Sequence, residues 1–288
     1  MKKFLAGLIA SLLFFASAEA YAPEGQLYVT MLNVGQGDSI LIETPTQNVL
    51  IDTGDVSEQE RLKAELQAAG VTRFERIILT HPHADHIGGI GFILDNYEVD
   101  EISDNGLFSA SPLYKRYHDS GVKVTRLREG NSVDFGGDVR FDVLSPTFYD
   151  QDMNNNSIVG KLVFKDFSML FMGDAEKQIE EELLDTQDVT ADILKAGHHG
   201  SKTSNTEDFI GAVRPKVILI SAGEGNRFGH PHKAALSNMR TFCSDIFCTR
   251  FNGSIKVVSD GNSFDVYCEN QADWLESYTG ERVTITRI

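Results

Sequence analysis

At 288 residues, 41% hydrophobic and 24% charged, the chain suits one large domain or two small ones, and its composition excludes a disordered or fibrous protein. The formal charge of −16 argues against broad, charge-driven nucleic-acid binding, which needs a basic footprint. The first twenty residues read as a signal peptide rather than as part of the fold. A basic Met1-Lys2-Lys3 precedes the apolar run FLAGLIASLLFFA, which is too short for a comfortable membrane span, and Ala18-Glu19-Ala20 supplies a cleavage signature. The expected cut follows Ala20, with an uncleaved anchor as the lesser alternative. No cysteine follows the run, which disfavours a lipoprotein. Cleavage removes Lys2, Lys3 and Glu19 and leaves the mature chain one charge more negative. A periplasmic or secreted protein without stable membrane insertion is expected.

From residue 21 the first half is strand-rich. LYVTMLNVG, DSILIET and NVLIDTG are short β-branched runs separated by turn residues. Residues 57–70 predict an amphipathic helix with a Ser57 cap and a terminal Gly70. RIILT is a buried strand, and HIGGIGFILDNY starts a helix. Strand–helix alternation continues to about Val124. Strands return with SVDF, DVRFDVLS, SIVGKLVF and SMLFMGD, followed by the helix EKQIEEELL. ADILKAG and PKVILIS predict strands with a helical segment near 205–213 between them, and HKAALSNMRTF predicts a helix. IFCTRF, SIKVVSD and SFDVYC are closing strands, with FNGS and SDGNS as hairpin turns. Two mixed halves, roughly 21–145 and 146–268, would each supply a sheet with helices outside it. The expected class is α+β, a four-layer αββα sandwich. Residues 269–288 form a C-terminal extension, an extra strand or a loose tail.

The chemistry concentrates in THPHADHIGG. His81 and His83, two apart on an extended segment, point the same way and can share a metal. Asp85 and His86 follow a turn into a helix start and face a neighbouring point. Imidazole and carboxylate without thiolate suit zinc, with manganese or iron as alternatives. A solvated His-rich loop is the bland alternative, and four ligand-type residues directly after a buried strand disfavour it. Asp174 ends the strand of LFMGDAE, where it could bridge two ions or merely cap a helix. His198 and His199 follow the strand of DILKAGHHGSKTS, and one of them could complete the second site. His118 reads as a surface residue. Cys243, Cys248 and Cys268 contain no Cys-x-x-Cys pair. Outside the cytoplasm a Cys243–Cys248 disulfide is the first choice, against three reduced cysteines.

The order VGQGDS, LIDTG, THPHADHIGG, NNNSIV, FMGDAE, GHHGSKTS and FGHPH resembles the metallo-β-lactamase superfamily from about Leu27 to Tyr267. More narrowly it resembles the hydrolase domain of ComEC-type competence proteins and their free-standing secreted relatives. A bacterial phosphorylcholine esterase domain has a similar layout. The resemblance implies two divalent metal ions, zinc first and manganese second. It places His81 and His83 at the first site, and Asp85, His86 and one histidine of GHHG, by preference His198, at the second. It makes Asp174 the bridging carboxylate and Asp52 a residue that orients the first histidines. Many members supply a further histidine from the region of residues 154–159. This chain has MNNNSIV there, which leaves the first site open, water-filled or completed by Asn156. By the same resemblance His230 is a phosphate contact or leaving-group acid beside the pocket. Arg227 and Lys202 are further phosphate candidates, His199 and His232 are candidates to support the ligands or touch substrate, with turn and cap roles as the bland alternative for His230 and His232, and Asp38 is a candidate brace for the metal loop.

The implied activity is hydrolysis by a metal-bound hydroxide, since a metal pair lowers the pKa of a bridging water to roughly 7. Asp174 and Asp85 would act with His230 at the reacting centre. No Ser-centred G-x-S-x-G motif and no P-loop spacing offers another route. An exported phosphodiesterase, nuclease-like and with DNA ends among its substrates, is the leading expectation. A hydrolase of a small ester, phosphorylcholine ester, lactone or β-lactam comes second, because an acidic surface better suits a neutral or cationic substrate. A non-catalytic metal-binding protein comes third.

Overall fold

The computed structural model describes residues 21–272 and 274–279. Residues 1–20, where a signal peptide is expected, and the final residues of the expected C-terminal extension lie outside the described residues. Two large sheets face each other. The first runs, in spatial order, Phe264–Cys268, Ile255–Ser259, Leu27–Met31, Ile40–Glu43, Asn48–Ile51, Arg76–Leu79, Glu101–Asp104 and Lys123–Arg126. The second runs Asp245–Cys248, Val217–Ile220, Ile193–Lys195, Phe167–Phe171, Val159–Phe164, Val139–Ser145 and Ser132–Gly136.

The alternation of apolar residues explains why four layers form. Val29, Met31, Ile40, Ile42, Val49, Ile51 and Ile78 of the first sheet meet Phe141, Val143, Leu162, Phe164, Met169 and Phe171 of the second in one core. Their neighbours in sequence point the other way, as a period of two requires. Leu41, Leu50 and Ile77 pack under helices Gln59–Ala69, Ile90–Asn96 and Pro112–His118. Leu170, Leu194 and Ile218 pack under helices Lys177–Thr186, Glu207–Val213 and Lys233–Phe242. Strands buried on both faces must be apolar on both, which is why several read as unbroken hydrophobic runs. The αββα sandwich is therefore present.

The two halves do not each build their own sheet. Ser132–Gly136 and Val139–Ser145 join the second sheet, while the closing hairpin returns to pair Ile255–Ser259 with Leu27–Met31. That pairing covers what would otherwise be an open strand edge. Local corrections follow from caps and turns. Asp55, not Ser57, caps the first helical segment by accepting from the Ser57 amide, while Gly70 ends the helix in the left-handed region at φ 72°. The IFCTRF strand stops at Cys248, and Thr249–Asn252 turns into a short helix. The beginning of the C-terminal extension is neither a strand nor a loose tail. Trp274 is buried and stacks on Phe251 at 4.4 Å, and Leu275–Thr279 is helical. No disulfide joins Cys243 to Cys248. Both thiols are buried and free, and burial pushes Cys248 up to about 12.

Phe141 lies at the centre of the inter-sheet core, stacked on Phe135 at 5.6 Å and packed over Gly160. Phe141→Ala should cost about 3–5 kcal/mol in urea unfolding. Phe108→Ala, at a side chain 77% exposed, should stay within about 0.5 kcal/mol of the parent.

Candidate metal centre

The topology delivers the polar residues to one end of the sandwich. Asn48–Ile51 and Arg76–Leu79 are parallel neighbours, and so are Phe167–Phe171, Ile193–Lys195 and Val217–Ile220. Asp52, Thr80 and His81, Asp174, and the His198–His199 pair all follow the carboxyl ends of these strands. That is where open α/β sheets place ligands.

The HxHxDH loop is held from below by Asp52, which is fully buried. Its Oδ1 accepts from the Thr80 amide at 2.8 Å and its Oδ2 from the Thr80 hydroxyl at 2.7 Å, with His86 Nδ1 also 2.7 Å from Oδ2. Asp52 therefore grips the strand end and His86, while His81 is touched only through Thr80 Oγ1 at 3.2 Å. From the other side the Asp38 amide donates to the Asp85 carbonyl at 3.1 Å. This close approach needs Gly37. It adopts φ 131°, and a Cβ there would stand 2.3 Å from the Asp85 oxygen.

Asp174 is the hub of the ligand-type atoms. Its Oδ2 lies 3.2 Å from His86 Nε2, 3.5 Å from His199 Nε2, 3.7 Å from His198 Nε2 and 3.9 Å from His81 Nε2. Asp85, His86, Asp174 and His199 each offer a ligand atom within 4.8 Å of the others. His83 stands at the far side of His81, with facing ring nitrogens 2.9 Å apart. Seven of the eight histidines thus form a continuous run of neighbouring rings, and only His118, bound to Asp104, lies apart.

The members of the GHHG pair behave differently. His199 is buried, its Nε2 is 3.4 Å from Asp85 Oδ2, and its Nδ1 is 3.4 Å from Asp38 Oδ1. His198 is half-buried, and its Nδ1 contacts Glu176 at 3.1 Å. The sequence preference for His198 is thus not reflected in the four-residue cluster, which contains His199. The cause is backbone conformation: both residues adopt left-handed φ, 47° and 54°, so their side chains diverge. Asp52 also has left-handed φ, at 59°. Such conformations cost of order 1–3 kcal/mol each and gather at functional sites.

The Asn156 side chain is engaged by its own loop. Its amide nitrogen donates to the carbonyls of Asp150 and Asp152, and its oxygen accepts from the Asp150 amide. The next residue reaches inward instead: Ser157 Oγ is 3.3 Å from His81 Nδ1 and accepts from the Asp174 amide at 3.0 Å. His232 Nδ1 accepts from the Lys202 amide and so steadies the loop after GHHG. His230 is buried, with ring centres 5.5 Å from His198 and 5.8 Å from His199. Lys202 and Arg227 are exposed, and Arg227 lies over the Phe228 ring at 4.9 Å. Sequence reasoning missed Thr80, Ser157 and Lys195. The first two adjoin motifs, and the third is a charged residue closing an apolar strand, a signal that was available.

A divalent cation suits this donor set. His86 Nε2, Asp174 Oδ1 and His199 Nε2 are buried without a hydrogen-bond partner. Buried polar atoms are rarely left so. Burial alone would lower His86 and His199, yet the carboxylates of Asp174, Asp52 and Asp38 outweigh it and raise both well above the ordinary histidine value. The pocket therefore demands positive charge, which a metal satisfies without a proton. Burial, reinforced by His86, keeps His81 and His83 below the ordinary value and hence neutral, the form that binds metals. Burial and its histidine neighbours push His230 down to about 3.

Asp52→Ala should leave buried partners unpaired and cost about 1–3 kcal/mol of stability. Zinc titration of that variant should show affinity lower by roughly 10–100-fold, the usual effect of losing a carboxylate behind a ligand. Gly37→Ala should displace the Asp85 loop and weaken zinc binding, read by the same titration.

A family model for the metallo-beta-lactamase superfamily matches residues 32–224. ComE operon protein 3 of Bacillus subtilis (strain 168) is 34% identical over 252 residues, covering 79% of this chain and 32% of that protein. Competence protein ComA of Neisseria gonorrhoeae is 29% identical over 238 residues, covering 81% and 32%. The chain thus spans 32% of the length of either relative. Among solved structures, the metallo-beta-lactamase fold protein YhfI of Bacillus subtilis aligns with a TM-score of 0.54 at 13% identity, over 77% of this chain and 95% of that one. A diphosphatase of the PhnP family aligns at 0.51 and 14%, over 81% and 98%. Likeness at such identities is likeness of fold. The chain belongs to the metallo-beta-lactamase superfamily, a hydrolase fold, and its relatives include competence proteins of the ComEC type.

Proposed function

We propose that the protein is an exported, metal-dependent phosphodiesterase, with DNA ends among its candidate substrates. The observation that carries the reading is the cluster of buried ligand atoms without partners around Asp174. Asp85, His86, Asp174 and His199 would hold one metal, and His81 and His83 would bind a second beside Asp174. Zinc fits this donor chemistry first and manganese second. Bound metal would supply Lewis acidity and lower the pKa of a bound water to roughly 7.

The chain's own residues do the rest. Asp174 bridges the two halves of the site and keeps the reacting centre between them. Asp52 and Ser157 fix the loops that present the histidines. His230 is neutral, so it offers a hydrogen bond to a substrate oxygen rather than acting as a cationic acid. Lys202 and Arg227 supply exposed positive charge for a phosphate group. The basic and apolar leader at 1–20 supports export, and the mature unit would begin at Tyr21. Among the described residues no helix is long and apolar enough to cross a membrane. The competence relatives support DNA as a substrate class. The charge of −16 favours a second reading, hydrolysis of a small neutral or cationic ester, phosphorylcholine ester or lactone.

The test is metal content of residues 21–288 by mass spectrometry, with bis(p-nitrophenyl) phosphate turnover before and after chelation. About two metals and chelator-sensitive turnover are expected. Metal-loaded protein that leaves this substrate and DNA intact, but cleaves small esters, would replace the first reading with the second. His199→Ala should lower zinc affinity more than His198→Ala, because only His199 is buried between Asp38, Asp85 and Asp174.

A further inference from the structure

Lys195 occupies a place where a lysine is unexpected. It closes strand Ile193–Lys195 and is completely buried. Ile193 faces the core between the sheets and Leu194 the core under the helices, so Lys195 points into the inter-sheet layer. Its ammonium pairs with Asp38 Oδ2 and donates to the Gly173 carbonyl at 3.3 Å. Asp38 Oδ1 faces His199 Nδ1 at 3.4 Å. Gly173 immediately precedes Asp174, and its carbonyl also accepts from the His198 amide at 3.0 Å. One ammonium thus ties the brace of His199 to the backbone that carries Asp174, across the two sheets.

A link needed only for stability would not require this pair. Well-packed apolar residues often replace a buried ion pair without loss, because desolvation offsets the attraction. Through charge alone the ammonium would also repel a cation bound in the neighbouring cluster. Its benefit must then lie in orientation. A ligating imidazole commonly donates its second N–H to a carboxylate, which fixes the ring. Asp38 can do so only if its own carboxylate is held in place.

We propose that Lys195 is a positioning residue: by clamping Asp38 it aims His199 Nε2 at Asp85 and Asp174, and so sets the affinity of this cluster for a divalent metal. The assignment rests on the metal-centre reading proposed above.

The experiment compares wild type, Lys195→Met, Asp38→Asn and the double variant. Zinc affinity is measured against a competing chromophoric chelator. The visible absorption of the cobalt-loaded protein reports ligand geometry, and thermal melting of the metal-free protein reports the fold. Lys195→Met and Asp38→Asn should each weaken zinc binding by roughly 10–100-fold and alter the cobalt spectrum. The double variant should lose no more than the weaker-binding single variant, because both changes break one clamp. Unchanged affinity and spectrum with only a lower melting temperature, tighter binding in Lys195→Met, or additive losses would each overturn the assignment. Should Lys195→Met fail to fold, the double variant, which leaves neither charge unpaired, is compared with Asp38→Asn. Equal affinities support the clamp, and a further ten-fold loss overturns it. Wild type that takes up no metal would sink the metal-centre reading as well, whereas wild type that binds alongside unaffected variants removes the clamp alone.

Discussion

Several carboxylates are buried close together at one end of this sandwich, and the rest of the site answers to that fact. Asp38, Asp52 and Asp174 are each almost wholly inaccessible to water. Isolated ionised carboxylates in such surroundings are prohibitively costly. Each is matched by a positive or donating group. Asp38 has Lys195 and His199, Asp52 has Thr80 and His86, and Asp174 has four histidines within 4 Å. The balance is incomplete, because ligand-type atoms of His86, Asp174 and His199 still lack partners. A divalent cation is the simplest species that completes it.

The sandwich exists in a form that makes this balance affordable in structural terms. Two sheets, buried on both faces, form a stiff platform, and parallel strands send their carboxyl ends the same way. Residues far apart in sequence, such as Asp38, Asp85, Asp174 and His199, then meet without a long flexible loop. The second sheet is not a copy of the first. Its contribution to the centre comes through Asp174, Lys195 and the GHHG turn, whereas the first sheet contributes Asp38, Asp52 and the HxHxDH loop. The centre is therefore an interface between sheets, and Lys195 is one of the residues that span it.

Outside the pocket the electrostatics reverse. The surface carries the excess of Asp and Glu behind the net charge of −16, while the pocket calls for cations. A polyanionic substrate would meet long-range repulsion before any favourable local contact, and Lys202 and Arg227 are candidates to soften it near His230. This opposition separates a phosphodiester polymer from a small ester as substrate, and it is a property of the whole chain rather than of the ligand set.

The sequence by itself determined the layers and the ligand-type residues. Apolar alternation with a period of two demanded strands buried on one or both faces, and HxHxDH at the end of an apolar run demanded a polar centre there. Residue type and local spacing are enough for such statements. The sequence could not assign the strands to sheets, because the closing hairpin finds Leu27–Met31 across more than two hundred residues of chain. Nor could spacing choose between His198 and His199, since neighbouring residues with left-handed backbone diverge in direction. Asn156 is one alternative for filling the first site where relatives place a histidine, and the structure turns its amide to the Asp150–Asp152 backbone while Ser157 faces His81. Lys195 looked like a strand residue and became a buried clamp only when Asp38 was folded against it. Partners that depend on which faces and edges meet are decided by tertiary structure, because burial and direction are properties of packed elements and not of residues in a row.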